Sequence, residues 1–163
     1  MEKKVRFVAT DVDPEAIEKG PRQVMKEILM QLVRNSVAHG IESPADRLIR
    51  GKNETGVIRL SVKTKGQNVH VKLGDDGRGL DYKKIAEKAL RKNIIKAEDA
   101  ENKEVLLKVL FSPGFSTANT ESVHAGRGIG LNLVQDRVKA AKGSISVQTE
   151  RGKGTVFNIV LPL

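Results

Sequence analysis

The chain has 163 residues, of which 39% are hydrophobic and 30% charged, so a folded globular protein with a sizeable core is expected. It contains no Cys, which excludes disulfides and thiolate chemistry and agrees with a reducing, cytoplasmic location. The net charge of +9 favours an anionic partner. Basic residues are spread along the chain without interleaved aromatics, and no apolar run is long enough to cross a bilayer, so we expect neither nucleic-acid nor membrane binding.

The first third of the chain predicts a strand and two helices. A strand is expected over Val5–Thr10, and a long helix is expected after Pro21. The buried stripe of this helix is predicted to consist of aliphatic residues at helical spacing, namely Val24, Ile28, Leu32 and Val33. Ser43 is a candidate cap for a short helix that has Pro44 at its first position and ends at Gly51.

The remainder of the chain predicts two hairpins separated by helices. Two alternating runs about a turn at Gly66–Asn68 indicate the first hairpin, and "SISVQTERGKGTVFNIVLPL" indicates the second. Helices are predicted between them, over Asp81–Lys92, Asn102–Leu110 and Ile129–Ala141. This mixture of elements predicts a single domain over residues 1–163, folded as a two-layer α/β sandwich.

The long helix carries a polar stripe that solvation alone does not require. Glu27, Gln31, Asn35 and His39 are each four residues apart and therefore share one helix face. Asn is disfavoured inside a helix, because its amide competes with the backbone for hydrogen bonds. Its short amide side chain is suited to bridging a magnesium ion and phosphate oxygens. The alternative is a surface Asn that is tolerated at small cost.

Two glycine-rich stretches indicate close backbone approach. "VKLGDDGRGLD" ends a strand at Asp75 and then turns through closely spaced glycines, and an aspartate there is able to accept a hydrogen bond from an amino group. The alternative is a tight turn in which Asp75 and Asp76 bind their own backbone. "HAGRGIGLNLV" places glycines before a helix, where backbone N–H groups and the helix dipole favour phosphate. The alternative is a flexible loop that leads into a helix.

The segment of residues 112–127 is a long connection rich in small polar residues. Connections of this length are usually functional or disordered, and Gly114, Ser116 and Thr117 suit a mobile lid that donates to phosphates. We expect this lid to be disordered or displaced without nucleotide and ordered with it.

In this order, the motifs resemble the ATP-binding domain of CheA-type chemotaxis histidine kinases, within the GHKL ATPase superfamily. "LVRNSVAHGIESPADRLIRGK" resembles the N box and its following helix, and "DDGRGLD" resembles the first glycine box. "LFSPGFST" resembles the F box, "GRGIGLNLV" the second glycine box, and "GKGTVFNIVLPL" the closing strand pair. The resemblance implies a Bergerat-type fold with a mixed, mostly antiparallel sheet, helices on one face, and ATP as the ligand.

The resemblance also implies roles for individual residues. Asp75 would accept the adenine amino group, Gly77 and Gly79 would let the backbone approach the base, and Thr155 would lie behind it. Asn35 would hold Mg²⁺, and Gln31 would orient the nucleophile. The residues expected to contact the phosphates are Arg34, His39, Lys84, Ser116, Thr117, Gly126, Arg127, Gly128, Ile129, Gly130 and Leu131.

Three positions depart from the family pattern. Gln31 stands where CheA relatives usually have His, and its amide does not titrate near neutral pH, so it is no general base. Ala38 and Asn132 stand where the family usually has Asp. These departures keep an ATP-sensing module without transfer as an alternative to the kinase. An anti-sigma-factor-like serine kinase is a further alternative, whereas a gyrase-like ATPase would need Glu at position 31.

The resemblance implies a histidine acceptor on another domain. His39 belongs to the N box, His70 alternates in a strand and His124 lies in the predicted lid, so none is expected to be the acceptor. The expected partner is a His-containing phosphotransfer domain, in trans or elsewhere in the same chain, with a response regulator acting indirectly. The domain itself is expected to be a cytoplasmic monomer.

Overall fold

The structure is a computed structural model that describes residues 2–115 and 130–163. The chain divides into two compact units. The sheet unit consists of Met1–Leu80 and Arg137–Leu163, and the helical unit consists of Asp81–Asp136. The expectation of a single domain over residues 1–163 stays a prediction.

A five-stranded mixed sheet forms the centre of the sheet unit, with the strand order β1-β2-β3-β5-β4. Its strands are β1 Lys4–Val12, β2 Thr55–Lys65, β3 Asn68–Asp75, β4 Ser144–Glu150 and β5 Gly154–Pro162. β1 pairs with β2 in parallel, and every other neighbouring pair is antiparallel. This arrangement confirms the predicted mixed, mostly antiparallel sheet and both predicted hairpins.

Burial alternates along the strands, so that one face of the sheet is covered and the other is open. On β3, Val69, Val71 and Leu73 are buried, whereas His70 and Lys72 between them are half-buried and exposed, respectively. The β5 residues that pair with the buried set are buried as well, namely Phe157, Ile159 and Leu161. The core therefore lies on a single face, which includes the end of β3 at Asp75.

Helices of the sheet unit cover that face. They are α1 Pro14–Lys19, α2 Arg22–Asn35, α3 Pro44–Ile49 and the last residues of α6 Leu131–Ala140. A Cβ added at Gly20, between α1 and α2, would lie 3.2 Å from both Met25 Cε and Val69 Cγ2. The backbone at this point therefore packs directly on the covered face of the sheet.

Two details of the helices differ from the sequence prediction. α1 was not predicted; Asp13 caps it by accepting a hydrogen bond from Glu15 N–H, and Pro14 is its first residue. In α2 the buried residues are Met25, Ile28 and Leu32, whereas the predicted Val24 and Val33 are only half-buried. Met25 fills the position facing the sheet, so the buried stripe is rotated towards it.

The long helix predicted after Pro21 changes from an α-helix to a π-helical turn before it ends at Gly40. The α-helical part ends at Asn35, and Ser36–Gly40 form a π-helical turn closed by a 2.7 Å hydrogen bond from Ile41 N–H to Ser36 O. The four-residue spacing of the polar stripe therefore applies in an α-helix only up to Asn35. His39 belongs to the wider turn, a type of turn often found at functional sites.

The helical unit contains α4 Tyr82–Arg91, a 3₁₀ turn Ala97–Asp99, α5 Lys103–Leu110 and the start of α6. Asp81 and Asn102 cap α4 and α5. These helices confirm the predicted elements to within two residues. Within the described ranges, none of the helices is both long and apolar enough to cross a membrane.

The predicted lid falls mostly outside the described residues. Its first part, Ser112 to Phe115, is described and leads to a buried Phe115 ring. The ammonium group of Lys88 lies 5.5 Å from the centre of that ring, a cation–π distance. Residues 116–127 lie outside the described part of the chain, and the expectation about their ordering stays a prediction.

Packing of α2 on the sheet predicts a large cost for truncating its central residue. Leu32 is fully buried, so Leu32→Ala should lower the free energy of unfolding by about 2–5 kcal/mol through lost contacts and a residual cavity. Urea unfolding followed by circular dichroism measures this change. The matched control is Leu48→Ala on α3, where Leu48 is 56% exposed, and its effect is expected to be within about 0.5 kcal/mol. Equal losses in both variants would contradict this packing.

Candidate nucleotide-binding site

Asp75, the last residue of β3, is a carboxylate held inside the sheet unit. It is only 8% exposed. Its Oδ2 accepts a 2.8 Å hydrogen bond from Ser36 Oγ, and its Oδ1 accepts a 2.9 Å bond from Gly77 N–H. Burial raises the pKa of Asp75 above its ordinary value, and the neighbouring Asp76 adds to the rise, although the hydrogen bonds oppose it. The site therefore contains a buried acceptor whose two oxygens are fixed by the π turn and by the turn after β3.

Two glycines allow these turns to meet. Arg78 N–H donates a 2.9 Å hydrogen bond to Gly40 O, which joins the turn after β3 to the end of the π turn. A Cβ at Gly40 would lie 2.9 Å from Asp75 Oδ2, and one at Gly77 would collide with Gly40 O. The protein's own backbone and the Asp75 carboxylate therefore account for both glycines.

Thr155 lies beside Asp75 and is linked to a residue that the sequence did not single out. Asp75 pairs with Thr155 across β3 and β5, and Thr155 pairs with Thr149 across β5 and β4. The two threonine hydroxyls are 3.1 Å apart, and Thr149 Oγ1 accepts a 2.9 Å hydrogen bond from Leu80 N–H. This row of polar side chains crosses the covered face of the sheet at the level of the first glycine box.

Gly79 completes the first glycine box in a conformation that other residues rarely adopt. Its φ is +72°, and a Cβ there would collide with Glu150 O. On either side, Arg78 O accepts a 2.7 Å hydrogen bond from Gly152 N–H, and Leu80 N–H is bound by Thr149. The turn is thus tied to the β4–β5 hairpin as well as to the π turn.

A cluster of buried charges lies behind the turn, and we call it the Arg47 cluster: Glu42, Arg47, Lys52 and Asp76. Arg47 is 1% exposed and Glu42 is 2% exposed. Arg47 Nη1 lies 3.0 Å from Glu42 Oε2, Arg47 Nη2 lies 3.0 Å from Asp76 Oδ2, and Lys52 Nζ lies 2.8 Å from Glu42 Oε1. Lys52 Nζ also donates to Asp76 O at 2.9 Å and to Gly77 O at 2.8 Å.

Local sequence sets the directions of Arg47 and Lys52. Ser43 caps α3 by accepting a hydrogen bond from Asp46 N–H, and Pro44 is the first residue of the helix. Gly51, at φ +72°, then reverses the chain so that Lys52 N–H bonds to Arg47 O at 2.8 Å. This pairing is the C-terminal closure known as the Schellman motif. The predicted cap and stop of this helix are confirmed.

The end of α2 presents Asn35 with an oriented amide. Gln31 Nε2 donates a 3.3 Å hydrogen bond to Asn35 Oδ1. One turn earlier, Glu27 Oε2 lies 3.1 Å from Arg137 Nε, and Arg34 is exposed. The predicted proximity of Gln31 and Asn35 on one helix face is confirmed.

His39 lies in the π turn beside two cations. Partial burial lowers the pKa of His39, and the positive charges of Lys3 and Arg78 lower it further. Lys3 Nζ donates to Val37 O at 2.6 Å and to Ala38 O at 2.9 Å, so it binds the carbonyls of the same turn. These effects favour the neutral imidazole, which offers one N–H donor and one acceptor.

Magnesium fits the donor set only if most of its ligands come from the nucleotide. Among residues 2–115 and 130–163 there is no group of three His, Asp or Glu side chains that could hold a metal. Asn35 supplies an amide oxygen, an acceptable magnesium ligand, and protein sites for this ion usually use one or two protein oxygens plus phosphates. One oxygen from Asn35 meets that requirement.

The structure brings together only part of the predicted set. Asp75, Gly77, Gly79 and Thr155 lie together in the sheet unit, where Asp75 is linked to the N box through Ser36. Others belong to the helical unit, namely Lys84, Gly130 and Leu131. The predicted residues outside the described part of the chain are Ser116, Thr117, Gly126, Arg127, Gly128 and Ile129.

Sequence reasoning missed several residues that hold the site in place. Ser36, Thr149 and the Arg47 cluster carry its hydrogen bonds but were given no role. Ser36 was detectable as a small hydroxyl next to Asn35 on a helix that faces the core. Thr149 was detectable only through its register with Thr155.

Comparisons with known proteins identify the family of the chain. Residues 21–163 match the family model described as histidine kinase-, DNA gyrase B-, and HSP90-like ATPase. The chain is 44% identical over 147 residues to the chemotaxis protein CheA of Bacillus subtilis (strain 168), covering 87% of this chain and 22% of that protein. It is 36% identical over 140 residues to the gliding motility regulatory protein of Myxococcus xanthus, covering 85% and 18%. The chain thus spans about a fifth of the length of these relatives.

Solved structures show the same fold at lower identity. The catalytic domain of histidine kinase ThkA superposes with a TM-score of 0.56 at 21% identity, covering 98% of this chain and 78% of that one. The mycobacterial sensor histidine kinase MprB superposes with a TM-score of 0.58 at 17% identity, covering 97% and 83%. With the family model spanning residues 21–163, the chain belongs to the histidine kinase-, DNA gyrase B-, and HSP90-like ATPase family.

Proposed function

We propose that this chain is the catalytic domain of a CheA-like histidine kinase, which binds Mg-ATP and transfers its γ-phosphoryl group to a histidine on a separate phosphotransfer domain. The observation that carries the proposal is the 2.8 Å hydrogen bond between Ser36 and Asp75, which joins the N box to the first glycine box. The similarity to CheA proteins supports the kinase class and the phosphotransfer partner.

In this proposal Asp75 recognises adenine. The Asp75 carboxylate accepts hydrogen bonds from Ser36, Gly77 N–H and Thr155 N–H, and a carboxylate has about four lone-pair sites, so one is left for the exocyclic amino group. Gly77 and Gly79 keep side chains away from the base, and Thr155 lies behind it. A fixed acceptor of this kind favours a base that bears an amino group over one that bears a carbonyl.

The phosphates would lie towards the end of α2. Asn35 would contribute its amide oxygen to magnesium, and Gln31, which donates to that oxygen, would keep it oriented. The neutral His39 would donate an N–H to a phosphate oxygen, and Arg34 would supply positive charge. Contacts from Lys84 and from residues 116, 117 and 126–131 remain predictions based on the resemblance.

The chemistry is phosphoryl transfer. The bond between the γ-phosphorus and its bridging oxygen breaks, a P–N bond to the acceptor imidazole forms, and ADP leaves. The protein contributes mainly position and charge neutralisation, and magnesium, when bound, neutralises the developing negative charge. Gln31 orients groups and does not act as a base.

A second candidate is an ATP-binding module that does not transfer phosphate. Gln31 and Ala38 favour it, because the titratable side chains that CheA relatives usually have at these positions are missing. General base catalysis typically contributes about 10²–10⁴-fold to rate, so transfer in this chain would be slow if it depended on a base at position 31. Incubation with γ-labelled ATP and a phosphotransfer domain decides between the two candidates.

The proposed setting is a two-component pathway in the cytoplasm. The phosphotransfer domain is either in trans or elsewhere in the same polypeptide, and a response regulator receives the phosphoryl group afterwards. We propose that this domain is monomeric by itself.

Removing the charge of Asp75 should weaken ATP binding while sparing magnesium. Asp75→Asn replaces one acceptor with a donor that faces the adenine amino group, at an expected cost of about 1.5–3 kcal/mol in binding. Calorimetric titration with Mg-ATP measures the change. Asp81→Asn provides the control, because Asp81 caps α4 in the other unit. Equal affinity in Asp75→Asn and the parent would refute the adenine assignment.

Removing the Asn35 amide should abolish magnesium-dependent transfer and leave the fold intact. Asn35 is the last residue of α2 and is half-buried, and Ala has the better helix propensity, so Asn35→Ala is expected to fold normally. Phosphoryl transfer to a phosphotransfer domain is expected to fall by about 10²-fold or more. Gln23→Ala on the same helix is the matched control. An unfolded Asn35→Ala protein would mean that Asn35 is structural.

Affinity for ATP should fall in acid as Asp75 takes up a proton. Because burial raises the pKa of Asp75 in the folded protein, this loss begins at a higher pH than for an ordinary aspartate. Ser36→Ala removes a donor that opposes the rise, so the loss should move to still higher pH. Affinities of both proteins measured from pH 4 to 8 test this shift, since the titration of ATP itself is common to both. Superimposable profiles would show that Ser36 has no influence on Asp75.

The same raised pKa has a defined effect on stability. Between the unfolded and folded pKa values of Asp75, only the folded protein keeps the proton, so the contribution of Asp75 to stability declines as pH rises through this window.

A further inference from the structure

Burying the charges of the Arg47 cluster costs desolvation free energy that an apolar core would not. Arg47 and Glu42 are almost fully buried, and removing two charges from water costs several kcal/mol per ion before their attraction is counted. Apolar residues of similar size often stabilise a protein as well as or better than such pairs. Stability alone therefore does not account for the cluster.

The hydrogen bonds of the cluster converge on the residues that follow Asp75. Arg47 binds Asp76 through Oδ2 at 3.0 Å and through its carbonyl oxygen at 3.3 Å. Lys52 binds the carbonyl oxygens of Asp76 and Gly77 at 2.9 and 2.8 Å. Asp76 Oδ1 in turn accepts a 2.9 Å hydrogen bond from Val57 N–H, which extends the β2–β3 pairing past the end of β3. Arg47 and Lys52 thus fix the turn by binding a side-chain oxygen of Asp76 and the main-chain oxygens of Asp76 and Gly77.

The position of this turn determines the direction of the Asp75 lone pairs. Gly77 N–H donates to Asp75 Oδ1 at 2.9 Å, and the carbonyl oxygen of the same peptide group, Asp76 O, accepts from Lys52 at 2.9 Å and from Arg47 at 3.3 Å. If the Asp76–Gly77 peptide group rotates, its N–H leaves Oδ1, and the carboxylate loses one of the donors that fix its orientation. A carboxylate that turns loses its geometric preference for one hydrogen-bonding pattern on a ligand.

We propose that Lys52, supported by Arg47, is a positioning residue that sets the preference of this site for adenine over bases with a carbonyl at the same place. This inference rests on the proposed function, since it assumes that Asp75 receives the adenine amino group. Lys52 acts through Gly77 and does not touch the nucleotide. Loss of Lys52 therefore lowers discrimination between bases, not only affinity.

The test compares ATP with ITP, which has a carbonyl in place of the amino group. Calorimetric titration of the parent 163-residue chain with each Mg-nucleotide is expected to show a preference for ATP of about tenfold or more. In Lys52→Met, which keeps the aliphatic chain but removes the three hydrogen bonds, the preference is expected to fall by about fivefold or more, mainly through weaker ATP binding. Lys52→Arg, which restores donors and charge, is expected to recover most of the preference.

The matched control is Lys63→Met, because Lys63 forms an exposed ion pair with Asp11 at 2.6 Å in the same unit. It is expected to leave both affinities unchanged. If Lys52→Met does not fold, Lys52→Leu, which also lacks a donor for the two carbonyls, is used in the same comparison. A preference for ATP equal to that of the parent in a folded variant without a donor at position 52 would overturn the inference.

The results that would refute the proposed function differ from those that would refute the role of Lys52. A parent chain that binds neither nucleotide, or binds both equally, refutes the proposed function and removes the basis of the inference. A parent that prefers ATP, combined with a Lys52 variant that keeps this preference, refutes only the inference and leaves Lys52 as a structural residue.

Discussion

Burying the carboxylate of Asp75 removes a charge from water, and hydrogen-bond donors held in fixed positions must offset that cost. The donors are Ser36 Oγ–H in the π turn, Gly77 N–H in the turn after β3 and the backbone N–H of Thr155 on β5. Both turns must therefore approach Asp75 closely, and the absence of side chains at Gly40 and Gly77 makes this approach possible. The wider π turn, the glycines and the row of threonines are all arranged around this one group.

Two buried carboxylates of the site, Asp75 and Glu42, have pKa values that are shifted in opposite directions. The pKa of Asp75 is raised by burial, because its neutral hydrogen-bond donors do not fully replace water. Burial also tends to raise the pKa of Glu42, but the hydrogen bond from Lys52, the backbone N–H of Glu42 and the charges of Lys52 and Arg47 outweigh it and leave this pKa lowered. The stabilisation from Glu42 is thus present above its unfolded pKa and is lost as pH falls through its folded pKa.

The two carboxylates therefore differ in their proposed roles: Asp75 would bind the ligand, and Glu42 supports the turn beside it. The group that faces the proposed ligand is under-compensated by the protein and has lone pairs to spare, whereas the group behind it is fully paired. A ligand amino group would supply the compensation that Asp75 lacks. The buried charges of the site are therefore divided between one that needs a partner and several that hold it in place.

The sequence revealed those features of the site that depend on local spacing. "DDGRGLD" located Asp75, Gly77 and Gly79, and "SPADRLIRG" located α3 with its cap and its stop, because turns and caps depend on neighbouring residues. Contacts between distant segments were out of reach: Ser36 and Asp75 are 39 positions apart, and Thr149 and Leu80 are 69 apart. Such contacts depend on strand register and helix rotation, which periodicity does not define.

The errors in α2 have the same origin. Val24 and Met25 are both apolar, and only packing on the sheet decides that Met25 is the more buried of the two. The sequence also gives no signal for the π turn, because every residue of "SVAHG" before Gly40 is compatible with an α-helix. The position of His39 was therefore predicted with an α-helical spacing that the folded chain does not use.

Lys3 gives the edge of the sheet an influence on the N box. It immediately precedes β1, and its ammonium group binds the carbonyls of Val37 and Ala38. β1 is held on one side only, by its parallel pairing with β2. A slip of β1 by one residue would move Lys3 by about 3.3 Å and turn its side chain to the opposite face, breaking both hydrogen bonds. The register of β1 is consequently coupled, through Lys3, to the conformation of the turn that carries His39.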